Sequence, residues 1–154
     1  MVPGIWGPYY SAILKGFWLH EGGQSSVGSL IDHLITSHPA YAQVKTYANI
    51  YQFLEDKCSE LKEKQGLPSI HHLTRDFHVL PDFHGNRSPL ADPDLKGSMI
   101  GLALDQSEAS LAITYLAAVQ ALAYGTKLIV DQLVDFGYKA IDQASLLILL
   151  FYNC

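Results

Sequence analysis

The sequence is poor in basic residues, and this shortage argues against one class of partner. Its 154 residues include 10 lysines and arginines against 15 aspartates and glutamates, for a formal net charge of −5. The basic residues are scattered, without the stripe or patch that binding to a phosphate backbone requires. We therefore expect no nucleic-acid partner.

Cysteines and long apolar runs are also scarce. Cys58 and Cys154 are the only cysteines, and neither lies in a Cys-x-x-Cys or Cys/His spacing, so no disulfide framework is expected. The N-terminal MVPGIWGPYY lacks the positive region of a signal peptide. The apolar run 146–152 is much shorter than the about 20 residues that span a bilayer. We expect a cytoplasmic protein that does not enter a membrane.

The chain does have enough apolar content for a core within one domain, since 49% of its residues are hydrophobic and 16% are charged. Apolar residues recur at helical spacing in three segments. The first helix is predicted to begin after Ser25 or Ser26 and to end near Pro39. The second covers residues 40–65. The third, apolar on nearly every face in its first half, covers 107–136 and ends at Gly137.

The remaining segments predict strands and loops. Residues 1–10 resemble a loop because of their prolines and glycines, and residues 85–94 are a loop by composition. Strands are predicted within four segments, namely 11–20, 75–83, 97–104 and 144–152. Strands separated by long helices are typical of an α/β fold.

The stretch HEGGQSSVG, residues 20–28, places Gly22 and Gly23 between a predicted strand and a predicted helix. Backbone N–H groups and the positive end of the helix dipole would converge there, which favours a phosphate or another anion. Glycine suits such a site because a Cβ would hold the ligand away from the backbone. The alternative is that the pair only makes a tight turn.

Glu21 directly precedes these glycines, at the carboxyl end of the predicted strand, where open α/β sheets place ligand-binding groups. Its carboxylate could accept hydrogen bonds from sugar hydroxyls or from a water on a metal ion. The alternative is a solvent-exposed acid beside a loop.

Two further groups of residues have side chains that could form a site. The spacing of His71, His72, His78 and His84 matches no paired-ligand motif, so we expect surface histidines and no metal site. In the loop that begins at Gly85, Asn86 and Arg87 offer donors suited to an anion. Arg87 could equally hold the loop together by pairing with Asp92 or Asp94. No Ser-His-Asp or Cys-His arrangement is recognisable.

Two longer motifs carry a resemblance to a known family. VPGIWGPYYSAILKGFWLHEGGQSSVG, followed by DFHGNRSPLADPDLKG and a long alanine-rich helix, resembles the C-terminal domain of the FGGY family of carbohydrate kinases. The ribulokinase-like branch is the most similar, and the resemblance covers roughly residues 2–138. EGGQS and GNRSPxADxxxKG in this order are far more specific than a pair of glycines.

The resemblance implies a ribonuclease H-like fold, similar to actin and hexokinase, and transfer of a phosphoryl group from ATP with Mg²⁺ to a hydroxyl of a ketopentose such as ribulose. It implies that Glu21 contacts the sugar and that Gly22, Gly23 and Gln24 lie near the nucleotide phosphates. It also implies that Gly85, Asn86 and Arg87 belong to a loop beside the cleft.

This sequence departs from the family pattern at both ends. The N-terminal domain with its catalytic aspartate has no counterpart, and the second glycine pair expected near the C-terminus does not follow Leu150. We therefore expect an incomplete domain over residues 1–143, followed by a divergent apolar tail, 144–154. On its own this chain should neither phosphorylate a sugar nor bind ATP tightly. The alternative function is that of a non-catalytic fragment that associates through exposed apolar surface.

Overall fold

The structure, a computed structural model, describes residues 1–138. This part of the chain contains four helices and two pairs of strands. In chain order they are β1 (Trp6–Tyr10), β2 (Trp18–Glu21), α1 (Val27–Ser37), α2 (Tyr41–Val44), α3 (Ile50–Lys64), β3 (His78–Leu80), β4 (Ser98–Ile100) and α4 (Glu108–Asp135). A 3-10 turn, Ile70–Thr74, lies between α3 and β3. The predicted strand 144–152 and the predicted tail 144–154 lie outside the described residues.

The N-terminal segment forms a strand, so the prediction of a loop over residues 1–10 was wrong. β1 pairs antiparallel with β2, with Trp6 opposite Glu21 and Tyr10 opposite Trp18. Its glycine and proline suggested a loop, but the pairing shifts register between Trp6 and Tyr9 and so accommodates Pro8 within the strand. This hairpin places Trp6 beside the end of β2.

The second predicted helix is two helices. α2 ends at Val44, and α3 begins at Ile50 after Asn49, whose side chain accepts a hydrogen bond from the backbone N–H of Gln52. An asparagine at this position satisfies one of the unpaired N–H groups of the first turn and fixes the helix start. Tyr47 lies between the two helices and stacks on Phe53 with ring centroids 4.3 Å apart. Its helical spacing in the sequence made the two helices look continuous.

The strands form two separate antiparallel pairs, β1 with β2 and β3 with β4. The described residues therefore combine helices and strands, as an α/β fold requires, without a parallel sheet among them. β3 stops at Leu80, directly before Pro81, as a proline that cannot donate a ladder hydrogen bond predicts.

The main core lies between α3 and the first half of α4. Leu54, Cys58 and Leu111 are at most 2% exposed there. A second cluster joins α1 to α4 through four buried side chains, Leu30, Leu34, Ala118 and Leu122. A third cluster joins the chain's first residues to the second half of α4 through Val2, Ile5 and Ile129. The second and third clusters thus attach α1 and the N-terminal segment to the same helix, α4.

α4 begins after Ser107, whose side chain accepts from the N–H of Ser110, and is followed by Gly137 at φ 93°, as the sequence predicts. Its length and a mean hydropathy of 1.3 over its most apolar window would also suffice to cross a membrane. A helix in the core of a protein passes the same test. Most of its buried residues lie in the first half, where it packs on α1 and α3.

Candidate functional site

The predicted strand–glycine–helix arrangement is present in the structure. β2 ends at Glu21, Gly22 and Gly23 follow, and α1 begins at Val27 after Ser26. A Cβ on Gly22 would lie 2.7 Å from Cγ2 of Ile129, so the chain passes α4 at a distance that only glycine permits without a shift. The turn is therefore held in place by close packing on α4.

A buried serine links this turn to two other segments. Ser88 is 2% exposed; its hydroxyl accepts a hydrogen bond from the Gly23 N–H at 3.1 Å and donates one to the Gly4 carbonyl at 2.6 Å. One side chain thus joins the N-terminal segment, the glycine turn and the loop 85–94. We call Gly4, Gly23 and Ser88 the serine clamp. Ser88 was not among the predicted site residues, because a serine before a proline in a loop resembles ordinary turn chemistry.

Arg87 pairs with Glu21. Its Nη2 donates to Glu21 Oε1 at 2.5 Å, and its guanidinium lies 4.5 Å from the centre of the Trp6 ring. The pairing with Asp92 or Asp94, left open by the sequence, is not among the contacts of the described residues. Both charged side chains are about half exposed, so the ion pair contributes at most about 1 kcal/mol to stability. Its importance lies in bringing two predicted site residues, 66 positions apart, together.

Gln24 has a structural role that its sequence position does not reveal. Its side-chain Nε2 donates to the Leu122 carbonyl at 2.7 Å and to Thr126 Oγ1 at 3.0 Å, both on α4. A Cβ on Gly125 would lie 2.5 Å from Gln24 Oε1, so the helix makes room for this amide. Because the amide nitrogen is engaged by α4, the predicted phosphate contact of Gln24 depends on its backbone N–H.

Gly85 and Asn86 shape the loop that carries Arg87. Asn86 donates from Nδ2 to Asp82 at 2.9 Å and accepts from the Leu90 N–H at 2.9 Å. Its backbone N–H donates to the Asp92 carbonyl at 2.7 Å. Gly85 has φ 73°, and a Cβ there would meet the Pro93 carbonyl at 2.7 Å. These contacts give Arg87 a fixed base, whereas the Asn86 side chain is engaged within the loop.

The four histidines weighed as metal ligands lie on the surface. His71, His72, His78 and His84 are all exposed, as expected for surface histidines. Within residues 1–138, no three His, Cys, Asp or Glu side chains lie together in a way that could hold a metal ion. His84 and His33 line a cavity of about 160 Å³ beside the start of α1, together with Ser25, Ser26 and Ser29.

Comparison with known proteins identifies the family of the chain. Residues 1–146 match the sequence profile of the C-terminal domain of the FGGY family of carbohydrate kinases. The chain is 49% identical over 143 residues to a human FGGY carbohydrate kinase domain-containing protein, which covers 90% of this chain and 25% of the human protein.

Two relatives carry more specific names. The chain is 38% identical over 143 residues to a D-ribulokinase of Saccharomyces cerevisiae, covering 90% of this chain and 20% of the yeast protein. It is 35% identical over 136 residues to ribulokinase 2 of Staphylococcus saprophyticus, covering 85% of this chain and 22% of that protein. The chain spans a quarter of the length of these relatives or less. The profile of the family's C-terminal domain matches nearly the whole length of this chain. The chain therefore belongs to the FGGY family of carbohydrate kinases and corresponds to that domain.

Proposed function

We propose that this chain forms one side of the active-site cleft of an ATP-dependent carbohydrate kinase that acts on a ketopentose such as ribulose. The observation that carries the proposal is the contact between two separate motifs: Glu21 at the end of β2 and Arg87 in the loop 85–94 form an ion pair. We also infer that the complete domain has a ribonuclease H-like fold, since the chain belongs to this family and combines helices with antiparallel strands.

Glu21 is suited to bind a sugar. A carboxylate only accepts hydrogen bonds, and a polyol presents several hydroxyl donors. The side chain is 52% exposed at the end of its strand, and Arg87 fixes one of its oxygens. The other oxygen carries no hydrogen bond within the described chain, which leaves it open to a ligand.

Gly22 and Gly23 are suited to approach nucleotide phosphates. The turn precedes the first N–H groups of α1, and Ser26 makes no side-chain hydrogen bond to that helix end. Unpaired N–H groups at a helix start favour anions. Mg²⁺ would have to be held largely by the phosphates, which is common for this ion, because the described residues contain no ligand cluster of their own.

A chimera tests this function. Residues 1–138 would replace the matching region of the S. cerevisiae D-ribulokinase, and ribulose-dependent ATP consumption would be measured. We expect activity in the chimera, and a loss of about tenfold or more in kcat/KM for ribulose with Glu21→Gln, because a charge-assisted acceptor is lost. Glu63→Gln, an exposed change on α3, is the matched control and should leave activity unchanged. A folded, active chimera that is insensitive to Glu21→Gln would contradict the role of Glu21.

Association is a second candidate function, favoured by exposed apolar side chains. Ile13, Phe17 and Trp18 on the β1–β2 hairpin are each more than 60% exposed, as is Tyr124 on α4. Exposed apolar groups of this kind are typical of surfaces that bind other chains. We expect the purified 154-residue chain to elute from a sizing column at a mass that rises with loading concentration. A monomer at all concentrations would rule this function out.

A further inference from the structure

We propose that Arg87 binds a phosphate group at the junction of the sugar and nucleotide subsites, and that Trp6 positions its guanidinium for this contact. The inference rests on the proposed function, because it places Arg87 between the residue proposed to bind the sugar and the turn proposed to approach the nucleotide. The ligand chemistry is a phosphate monoester or the terminal phosphate of a nucleotide.

The guanidinium faces both subsites at once. Nη2 donates to Glu21 Oε1 at 2.5 Å, while Nη1 lies 3.8 Å from the position of a Cβ built on Gly23. Nη1 and Nε make no hydrogen bond within residues 1–138. The two N–H donors of Nη1, the guanidinium nitrogen beside the glycine turn, therefore remain available to a ligand.

Arginine suits this position better than lysine. Its planar fork can hold a carboxylate with one edge and a phosphate with another, and it keeps its charge at all physiological pH values. Side-chain exposure of 43% leaves room for a ligand. When a sugar supplies hydroxyl donors to Glu21, the carboxylate depends less on Arg87, and more of the positive charge can act on the phosphate.

Trp6 limits where the guanidinium can lie. The ring centre is 4.5 Å from Arg87 Cζ, within the range of a cation–π contact. Trp6 is opposite Glu21 in the β1–β2 register, so the same hairpin presents both the aromatic ring and the carboxylate to the guanidinium. Trp6 was not among the predicted site residues, although it lies within the motif that resembles the family.

Titrations followed by nuclear magnetic resonance on the full 154-residue chain test this inference. The Gly23 amide, the Trp6 indole N–H and the Arg87 side-chain N–H are followed while inorganic phosphate, D-ribulose 5-phosphate, ATP or D-ribulose is added. Ligand concentrations reach about 50 mM, since one or two charge-assisted contacts give dissociation constants in the millimolar range. Sodium chloride at equal ionic strength corrects for screening.

The chain offers a matched control. Arg75 is also exposed and also paired with an acid, Asp76 at 3.0 Å, but within the described residues it has no hydrogen bond or ion pair to the glycine turn. Arg75→Gln and Arg87→Gln remove the same charge, so a general electrostatic effect would weaken phosphate binding equally in both. Arg87→Lys keeps the positive charge but lacks the planar guanidinium. Trp6→Phe keeps an aromatic ring, whereas Trp6→Leu removes it.

We expect Arg87→Gln to weaken the three phosphate-bearing ligands by about tenfold or more, with an intermediate loss for Arg87→Lys and no loss for Arg75→Gln. Trp6→Phe should bind more tightly than Trp6→Leu. Thermal melts of each variant identify any that do not fold. If Arg87→Gln does not fold, the phosphate affinity of Arg87→Lys decides the result. Equal binding by Arg75→Gln and Arg87→Gln would overturn the inference.

Two other outcomes separate this inference from the proposed function. If D-ribulose shifts resonances near Glu21 but no phosphate-bearing ligand affects Gly23 or Arg87, the role of Arg87 is refuted and the sugar subsite stands. If neither D-ribulose nor any phosphate-bearing ligand has an effect, both proposals fail.

Discussion

Replacing Ser88 with alanine should loosen the glycine turn without touching any proposed ligand contact. The substitution removes the hydroxyl that joins the Gly23 N–H, 3.1 Å away, and the Gly4 carbonyl, 2.6 Å away. Both backbone groups lie in a partly buried region, and Ser88 itself is 2% exposed. A polar group left without its partner costs about 1–3 kcal/mol. Since water can reach these groups in part, we expect a total loss of about 2–3 kcal/mol.

The free energy of unfolding of Ser88→Ala would be measured by urea denaturation. Ser59→Ala is the control, because Ser59 also donates to a backbone carbonyl, that of Glu55 at 3.1 Å, but does so on the exposed face of α3. It should change stability by less than about 0.5 kcal/mol. Hydrogen exchange at the Gly23 amide should accelerate in Ser88→Ala alone. If the two variants lose equal stability and Gly23 stays protected, the serine clamp does not hold the turn.

Two further predictions concern the backbone and the core. Gly4→Ala should destabilise the fold by at least about 2 kcal/mol more than Gly16→Ala. Both glycines have positive φ. A Cβ at Gly4 would lie 2.1 Å from the Pro89 carbonyl oxygen, whereas a Cβ at Gly16 would meet no atom within 4 Å. Burial raises the pKa of the Cys58 thiol to about 11, so the folded state favours the neutral thiol. The free energy of unfolding should therefore fall by up to about 3 kcal/mol as pH rises from about 9 to 11. Urea unfolding at several pH values checks this. Cys58→Ala should lack that part of the pH dependence, and an equal dependence in both proteins would show that the thiol is not responsible.

The helices were the most predictable part of the fold, because their signals are local. Ser26, Ser107 and Gly137 mark helix ends in the sequence, and the structure places them there. The break between α2 and α3 was missed because the apolar spacing continues through residues 45–49, and periodicity reports the buried face rather than the hydrogen bonds. The β1 strand was missed because its proline and glycine were weighed without knowledge of its partner, β2. Pairing between distant segments is a property of the folded chain.

The site was predictable as a set of residues and unpredictable as a set of contacts. Glu21, Gly22 and Gly23 were found from the strand–glycine–helix pattern, and the structure keeps that pattern. The partners of Glu21 and Gly23, Arg87 and Ser88, lie 66 and 65 positions away, and nothing local indicates that these loops meet. Arg87 was assigned equally to an anion or to a nearby aspartate because sequence spacing favours neighbours.

The glycine at position 125 shows how two parts of the chain constrain each other's composition. A glycine inside a helix costs about 1 kcal/mol relative to alanine, yet alanine at this position would press against the side-chain oxygen of Gln24, 2.5 Å from its Cβ. Relatives with a residue larger than glycine at position 125 should therefore have a residue shorter than glutamine at position 24. The two positions, 101 residues apart, are expected to vary together, and an alignment would reveal the packing of the loop on the helix without any structure.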